Sequence, residues 1–301
     1  MLDYILIQAA NGLVIGVMFA LIATGLTIIF SILKIVNFAH GEIYMMGGYF
    51  GYYVITLLGV PPFPAVLVAM AITFLFSIGL ERGLLTPLYS PRIERKADYG
   101  ILITFGLSVF LRNIAIILFG PFPLRPPSFI EGSLAVFGGL MISYDRLVAA
   151  GGGILLLVAL IWFLNRTVWG QALNAVSQSR ESASIVGINS ERMYMLAFGV
   201  GGALAGGAGA LIAPIYSLSP SMGLVPDTQA FVIVILGGLG SVSGTIIAAL
   251  LLGISQNLFI ALLPDPSRGP SYANAFGLFI MMLVLLFRPT GIFGRHAVAM
   301  D

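Results

Sequence analysis

The chain has 301 residues, of which 59% are hydrophobic and only 9% charged, and its mean hydropathy is +1.04. A soluble domain carries about a quarter charged residues, so this balance excludes one and calls for a membrane. A net charge of +2 gives no basis for nucleic-acid binding, and the absence of cysteine excludes disulfides and thiolate chemistry.

Apolar runs of about 20 residues, the length at which a helix crosses a bilayer, recur along the chain. The first predicted span is Tyr4 to Leu33, with Gly12 and Gly16 as a small-xxx-small pair and Gln8, Asn11 and Thr24 as polar insertions. It is longer than the about 7 to 15 apolar residues of a secretory signal, so a cleaved leader is not expected. A polar break, Lys34 to Glu42, leads to a second span, Ile43 to Leu58. Gly59 to Pro64 reads as a tight turn, because consecutive prolines remove donors and stop helices. The third span is Ala65 to Leu80, and a basic loop with Arg82, Arg92, Arg95 and Lys96 follows. The fourth span, Gly100 to Phe119, carries Arg112 and Asn113. Residues 120 to 145 read as a loop rich in proline and glycine, and the fifth span is Arg146 to Leu164.

Residues 165 to 192 form a polar stretch long enough to fold into short helices of its own on the water side. The sixth span, Tyr194 to Ala213, holds Gly199, Gly201, Gly202, Gly206, Gly207 and Gly209. Small residues let helix backbones approach, and a second membrane chain is the expected neighbour. Residues 214 to 227, with Pro214, Pro220 and Pro226, read as a loop. Thr228 to Leu236 is too short to cross alone, Gly237 to Gly244 breaks it, and Thr245 to Leu263 is long enough to span. Together 228 to 263 read as a helical hairpin with a glycine turn. The last span is Ala273 to Phe287. The fold class is therefore all-α, a polytopic integral membrane protein of about 8–9 transmembrane helices including the glycine-broken hairpin. Residues 1–301 form one transmembrane domain, with 165–192 as a loop within it. The glycine clusters at 41 to 51 and 237 to 253 are candidate corresponding points of two halves, as in transporters with broken helices.

Lys and Arg placement orients the chain. With the segments 34–42, 82–99 and 165–192 and the C-terminus inside, that side holds Lys34, Arg82, Arg92, Arg95, Lys96, Arg166, Arg180, Arg192, Arg288 and Arg295. The outside holds Arg125, Arg146 and Arg268. The expected topology is N-terminus outside, C-terminus inside and the 165–192 loop in the cytoplasm.

The chemistry available is narrow. Neither lysine follows a glycine, so no P-loop is present. His40 and His296 lie far apart with no metal-ligand spacing around them. Glu42 and Glu81 read as span-end residues, leaving no acid deep in a span, the group an ion-coupled carrier needs. A membrane-embedded enzyme would need clustered His, Asp or Glu inside the spans. The energy for uphill transport is expected from a soluble ATPase docked on 165–192.

Asn37-Phe38-Ala39-His40-Gly41 followed by Met45-Met46-Gly47-Gly48-Tyr49, with Ala20 to Thr27 upstream, resembles branched-chain amino acid ABC transporter permeases of the LivH type. So do Gly170-Gln171-Ala172-Leu173 through Ala183 to Asn189, Ala203 to Gly206, Gly237 to Ser241, and Arg288-Pro289-Thr290-Gly291-Ile292-Phe293-Gly294. The resemblance covers essentially the whole chain. It implies a multi-pass permease subunit of an ATP-driven importer of branched-chain, hydrophobic amino acids in the bacterial inner membrane, working by alternating access. It implies a second, LivM-type permease, two cytoplasmic ABC ATPases and a periplasmic substrate-binding protein as partners. ATP is used by the ATPases, and no cofactor is bound directly. The family also includes importers of urea, short amides and aromatic acids. Asn174 stands where members often carry Arg, Gln229 where they carry Lys, and Arg112 where Gln is common. An ATPase-independent carrier or channel is the rival from another class.

Two groups of site residues follow. Gly170, Gln171, Asn174, Gln178, Arg180, Glu181 and Gly187 match the family's ATPase-coupling segment, with Arg180 and Glu181 expected at the contact. Asn37, His40, Arg112, Asn113, Gly237, Gly238, Gly240 and Ser241 are candidates for the translocation path or gate. Asn37 and His40 read either as the joint of a broken helix or as a polar turn at the lipid headgroups. Arg112 reads either as an attraction for a substrate carboxylate or as a snorkelling cation. The Gly237 to Gly244 turn reads either as part of the path or as tight helix packing.

Overall fold

A computed structural model describes residues 2–89, 93, 95–136, 140–263 and 269–294. Arg92, Arg268, Arg295 and His296, used above, lie outside the described residues. Eleven helices are present among the described residues: α1 Leu2–Leu33, α2 His40–Leu58, α3 Pro62–Leu80, α4 Lys96–Phe119, α5 Tyr144–Arg166, α6 Val168–Gln178, α7 Arg180–Ile185, α8 Ser190–Tyr216, α9 Leu224–Gly237, α10 Val242–Leu262 and α11 Gly269–Phe287. Six of the helical runs are long and apolar enough to cross a membrane, so the chain is a multi-pass membrane protein.

The segment after α4 is not all loop. It contains an antiparallel pair, β1 Ser133–Val136 and β2 Leu140–Ser143, in register from Ser133 opposite Ser143 to Val136 opposite Leu140. Period-2 alternation over four residues is too short a signal to stand out among the prolines. The stretch 214–227 also differs from its reading, because α9 begins at Leu224. Pro226 falls in the first turn of α9, where a missing N–H breaks no intrahelical bond.

The centre of the bundle is α1 and α8, both far more buried than the other spans. The two cross where Gly25 meets Gly201. A Cβ on Gly25 would stand 2.6 Å from the Gly201 carbonyl oxygen, and one on Gly201 would stand 2.7 Å from the Gly25 carbonyl oxygen. The remaining α8 glycines also face inward within this chain. Gly202 and Gly206 meet Ser77 and Thr73 of α3, Gly209 meets Tyr44 and Gly48 of α2, and Gly199 meets Phe74 and Ile78 of α3. The expected packing against a second permease is therefore overturned: α8 is enclosed by α1, α2 and α3. Gly12 and Gly16 of α1 do the same job against Gly253 and Ala249 of α10.

The packing pattern repeats. α1 packs on α9 and α10, while α8 packs on α2 and α3; α2 packs on α3 and α4, while α9 packs on α10 and α11. In this pattern α2 corresponds to α9, so residues 41–51 correspond to the α9 start and not to 237–253.

Overpacking the α8 seam is expected to be destabilising. Gly206→Leu should lower stability by about 3 kcal/mol, read by thermal unfolding in detergent. Gly106→Ala, whose Cβ meets nothing within 4 Å, should leave it unchanged or slightly raised.

Candidate functional site

The chain reverses between α1 and α2. α1 ends at Leu33, yet the first residue of α2, His40, lies beside Ile22, with Nε2 3.0 Å from the Ile22 carbonyl oxygen. Ile22 is eleven residues back from Leu33, about 16 Å along the helix. Residues 34–39 therefore run back into the bundle, and α2 starts at depth. The second half does the same. α8 ends at Tyr216, but Gly223, just before α9, has its backbone against that of Gly41. The N-termini of α2 and α9 thus meet inside the molecule.

Several backbone groups of both return segments bond to protein. The Ala39 N–H donates to Asn37 Oδ1 at 3.1 Å, and Thr104 Oγ1 donates to the Val36 carbonyl at 3.2 Å. Leu124 and Leu218 exchange two backbone bonds of 2.9 and 2.8 Å. Irregular backbone at membrane depth persists only with such partners. His40 and Asn37 are fully buried, and Asn37 Nδ2 and His40 Nδ1 have no hydrogen-bond partner. A turn at the lipid headgroups is overturned for this pair, which sits at the joint of a broken helix.

Charged groups gather at the joint. The Gly41 N–H donates to Asp227 Oδ1 at 2.9 Å. The buried Glu42 pairs with Arg112, Oε1 to Nη2 at 2.5 Å, and Arg112 also lies 3.5 Å from Ser108 Oγ. This corrects three readings. Glu42 is not at a span end, because α2 begins deep. Asp227 is not in a loop but in the first turn of α9. Arg112 does not snorkel, and its charge is held by Glu42. Asn113 points away from this group, is exposed, and bonds only back to Val109.

Three cavities flank these elements. One of about 550 Å³ runs along α1 from Gln8 to Ile22, with Arg146 and Asn257 in its wall. Arg146 Nη1 donates to Asn11 Oδ1 there. A second of about 550 Å³ begins one turn further along α1 at Leu26 and is lined by Phe38, Asp227, Phe231 and Leu239. A third of about 650 Å³ lies at the α6 end, between Asn174 and Gln178 on one side and Gly240 and Ser241 on the other. The two groups of sequence-derived residues therefore meet in this third space. None of the eight path candidates lines the first cavity, whose polar wall includes Gln8, Asn11, Arg146, Gln256 and Asn257. Polar insertions on α1 and α10 were the available signal for it.

Gly237 and Gly238 pack. Gly237 lies against Gly244 and Thr245, and Gly238 lies against Phe293 and Gly294. The Ile292 N–H donates to the Leu236 carbonyl at 2.8 Å, so the segment after α11 closes over this turn. Positive φ at Gly238 and Gly240 is what lets the chain reverse between α9 and α10.

The polar stretch after α5 folds as α6 and α7, as its sequence indicated. Thr167 Oγ1 accepts the Gly170 N–H, Ser179 Oγ accepts the Ser182 N–H, and Asn189 Oδ1 accepts the Arg192 N–H, so each of α6, α7 and α8 has a side-chain N-cap. Gly170 is buried against Phe163 and Leu164, and Asn174 Nδ2 donates to the Leu164 carbonyl at 3.1 Å. These two fix α6 to α5. Gln171, Gln178 and Glu181 are exposed, and Gly187, at φ +86°, forms the turn into α8. The Arg180 guanidinium stands 5.5 Å over the Tyr194 ring, which stacks on Tyr89 at 4.6 Å, and the Tyr89 hydroxyl donates to Glu81. Burial pushes the Tyr89 phenol well above its ordinary pKa, so it stays a donor. Arg180 is therefore tied by aromatic contacts to the π-helical turn Glu81–Leu85 that follows α3. The sequence reading missed four exposed apolar residues flanking this segment: Val168 (81% exposed), Trp169, Ile185 (85%) and Val186. Two apolar doublets bracketing a polar stretch were the signal.

A family model described as branched-chain amino acid transport system / permease component matches residues 8–286. The chain is 34% identical to the high-affinity branched-chain amino acid transport system permease protein BraD of Pseudomonas aeruginosa, over 97% of this chain and 96% of that protein. It is 30% identical to the corresponding LivH of Escherichia coli, over 98% and 97%. It is also 30% identical to the probable branched-chain amino acid transport permease protein LivH of Methanocaldococcus jannaschii, over 91% and 88%.

Removing one member of the buried ion pair strands the other. Arg112→Met should cost about 3 kcal/mol, the low end for a buried pair because the Arg112 side chain is 30% exposed. Adding Glu42→Gln should restore at least half of that loss, since no lone charge then remains. Chemical denaturation of the four variants of this cycle in detergent measures the coupling.

Proposed function

The chain belongs to the branched-chain amino acid transport permease family, matched over residues 8–286, and from that premise we propose that it is one membrane subunit of an ATP-driven importer of branched-chain amino acids. The observation that carries this reading is the match along nearly the whole chain to permeases that the relatives' names assign to such systems. The chain has no nucleotide loop, so ATP hydrolysis falls to two soluble ATPases. A second permease and a substrate-binding protein complete the assembly.

In this reading α1, α3–α5, α8, α10 and α11 cross the membrane, while α2 and α9 run from the central joint to opposite faces, with α9 and α10 forming a glycine-turned hairpin. The N-terminus is outside, while α6, α7 and the C-terminus are in the cytoplasm of a bacterial inner membrane. The ten-to-three bias of Lys and Arg supports this orientation. The ATPase docks on α6 and α7. The exposed Val168, Trp169, Ile185 and Val186, with Gln171, Gln178 and Glu181 beside them, support that surface. Apolar anchors ringed by polar groups are the usual composition of such a contact. Arg180 contributes by holding α7 on Tyr194, through which movement of α7 reaches α8 and the end of α3. The mechanism is alternating access, with the ATPases driving the α6–α7 segment.

Reconstitution with its partner subunits in liposomes should give uptake of leucine, isoleucine and valine that requires the binding protein and ATP. Uptake of these amino acids without ATP, or none with it, would contradict the reading. Ile185→Asp places a charge in the apolar contact and should reduce uptake at least about tenfold while leaving the thermal stability of the isolated chain unchanged.

A further inference from the structure

The first and second cavities are separated by a single layer of structure. On α1, Ile22 lines the first and Leu26, one turn on, lines the second. On α9, Pro226 lines the first and Asp227 the second. The layer between them is the joint where α2 and α9 begin. We propose that the two cavities are consecutive halves of one substrate route along this chain, and that the Gly41–Asp227 joint is the barrier between them.

The joint has the build of a barrier that opens. Gly41 and Gly223 have backbones in direct contact, so no gap passes between the two helix starts. His40 fixes the α2 start to the middle of α1 through the Ile22 carbonyl. Across the α2–α9 contact, the polar tie is the Gly41 N–H to Asp227 Oδ1 bond. Glycine surfaces part without disturbing side-chain packing of their own, so that hydrogen bond and the Phe38–Phe231 ring contact, with centroids 5.1 Å apart, are the local interactions to be broken. A partner permease in the assembly is free to supply further walls to either half.

The two halves differ in chemistry. The first is walled by neutral amides, by the apolar Ile15 and Met18, and by one cation, Arg146, whose contact is the uncharged Asn11. It suits a small solute with a carboxylate and an apolar side chain. The second is almost wholly apolar, with the Asp227 carboxyl group at its head as a polar contact for an ammonium group entering first. This deepening rests on the reading of the chain as an amino acid permease.

The chain contains no cysteine, so single introduced thiols report access directly. Met18→Cys probes the first cavity and Met281→Cys the second. Each is placed in the assembled transporter in sealed proteoliposomes of defined orientation and treated with a membrane-impermeant methanethiosulfonate reagent. Met18→Cys should react only from the side opposite α6 and α7, and Met281→Cys only from the α6–α7 side. Adding Asp227→Ala should speed the reaction of Met281→Cys from the opposite side about tenfold, the factor the loss of one hydrogen bond is worth. Asp227→Asn, which keeps an acceptor for Gly41, should not. Reaction of both thiols from the same side, or an unchanged opposite-side rate in Asp227→Ala, would overturn the proposal. If Asp227→Ala does not assemble, the sidedness of the two thiols without it still decides. ATP-dependent uptake, measured on the same vesicles, separates failure of the route from failure of the permease reading.

Discussion

The crossing of Gly25 and Gly201 is the constraint on which the rest of the molecule depends. With no side chain on either residue, the two central helices come into backbone contact. That contact leaves room beside it for His40, since a Cβ on Gly25 would stand 3.2 Å from Nε2. His40 then reaches the Ile22 carbonyl, and α2 begins at that depth. A bulkier residue at either glycine would push α1 from α8, and one at Gly25 would also take the seat of His40 and with it the place where α2 meets α9. In a membrane, where hydrocarbon gives helices no hydrophobic reason to associate, close backbone packing of this kind is a principal source of cohesion.

A helix that starts at depth leaves its first N–H groups without intrahelical partners. Two starting face to face double that cost. Here one first-turn N–H is answered from a distant part of the chain, and further bonds, one of them local, hold the segments leading into the two helices. Asp227 accepts from Gly41, Asn37 accepts from Ala39, Thr104 covers Val36, and Leu124 pairs with Leu218. The joint between α2 and α9 is held by glycine backbone contact, one hydrogen bond and the Phe38–Phe231 ring pair. Stability and a separable seam are thus built from the same residues, which suits a protein that must close one side before opening the other.

Much of this was legible in the sequence. The length and polarity of the stretch after α5 announced short helices, and the structure adds their caps, Thr167 for α6, Ser179 for α7 and Asn189 for α8. Six of the span positions followed from apolar length. What was not legible was depth. A polar break after a long span reads as a surface turn, and nothing local to Asn37 or His40 says that the chain doubles back. Asp227 was hidden by Pro220 and Pro226, which mark a loop in most settings but also fit the first turn of a helix. The partner of Arg112 was equally hidden, because Glu42 lies 70 residues away. Glycine spacing announced that α8 packs closely but carried no record of which neighbour it packs against.

The depth of His40 in the assembled transporter tests this account most directly. A density map of the complex in a lipid nanodisc would locate the imidazole against the bilayer. The account requires it about 16 Å inside the end of α1, bonded to the Ile22 carbonyl, with the Gly41 and Gly223 backbones in contact whenever the route is closed. An imidazole at the headgroup layer, with α2 beginning there and its N-terminus far from that of α9, would contradict it.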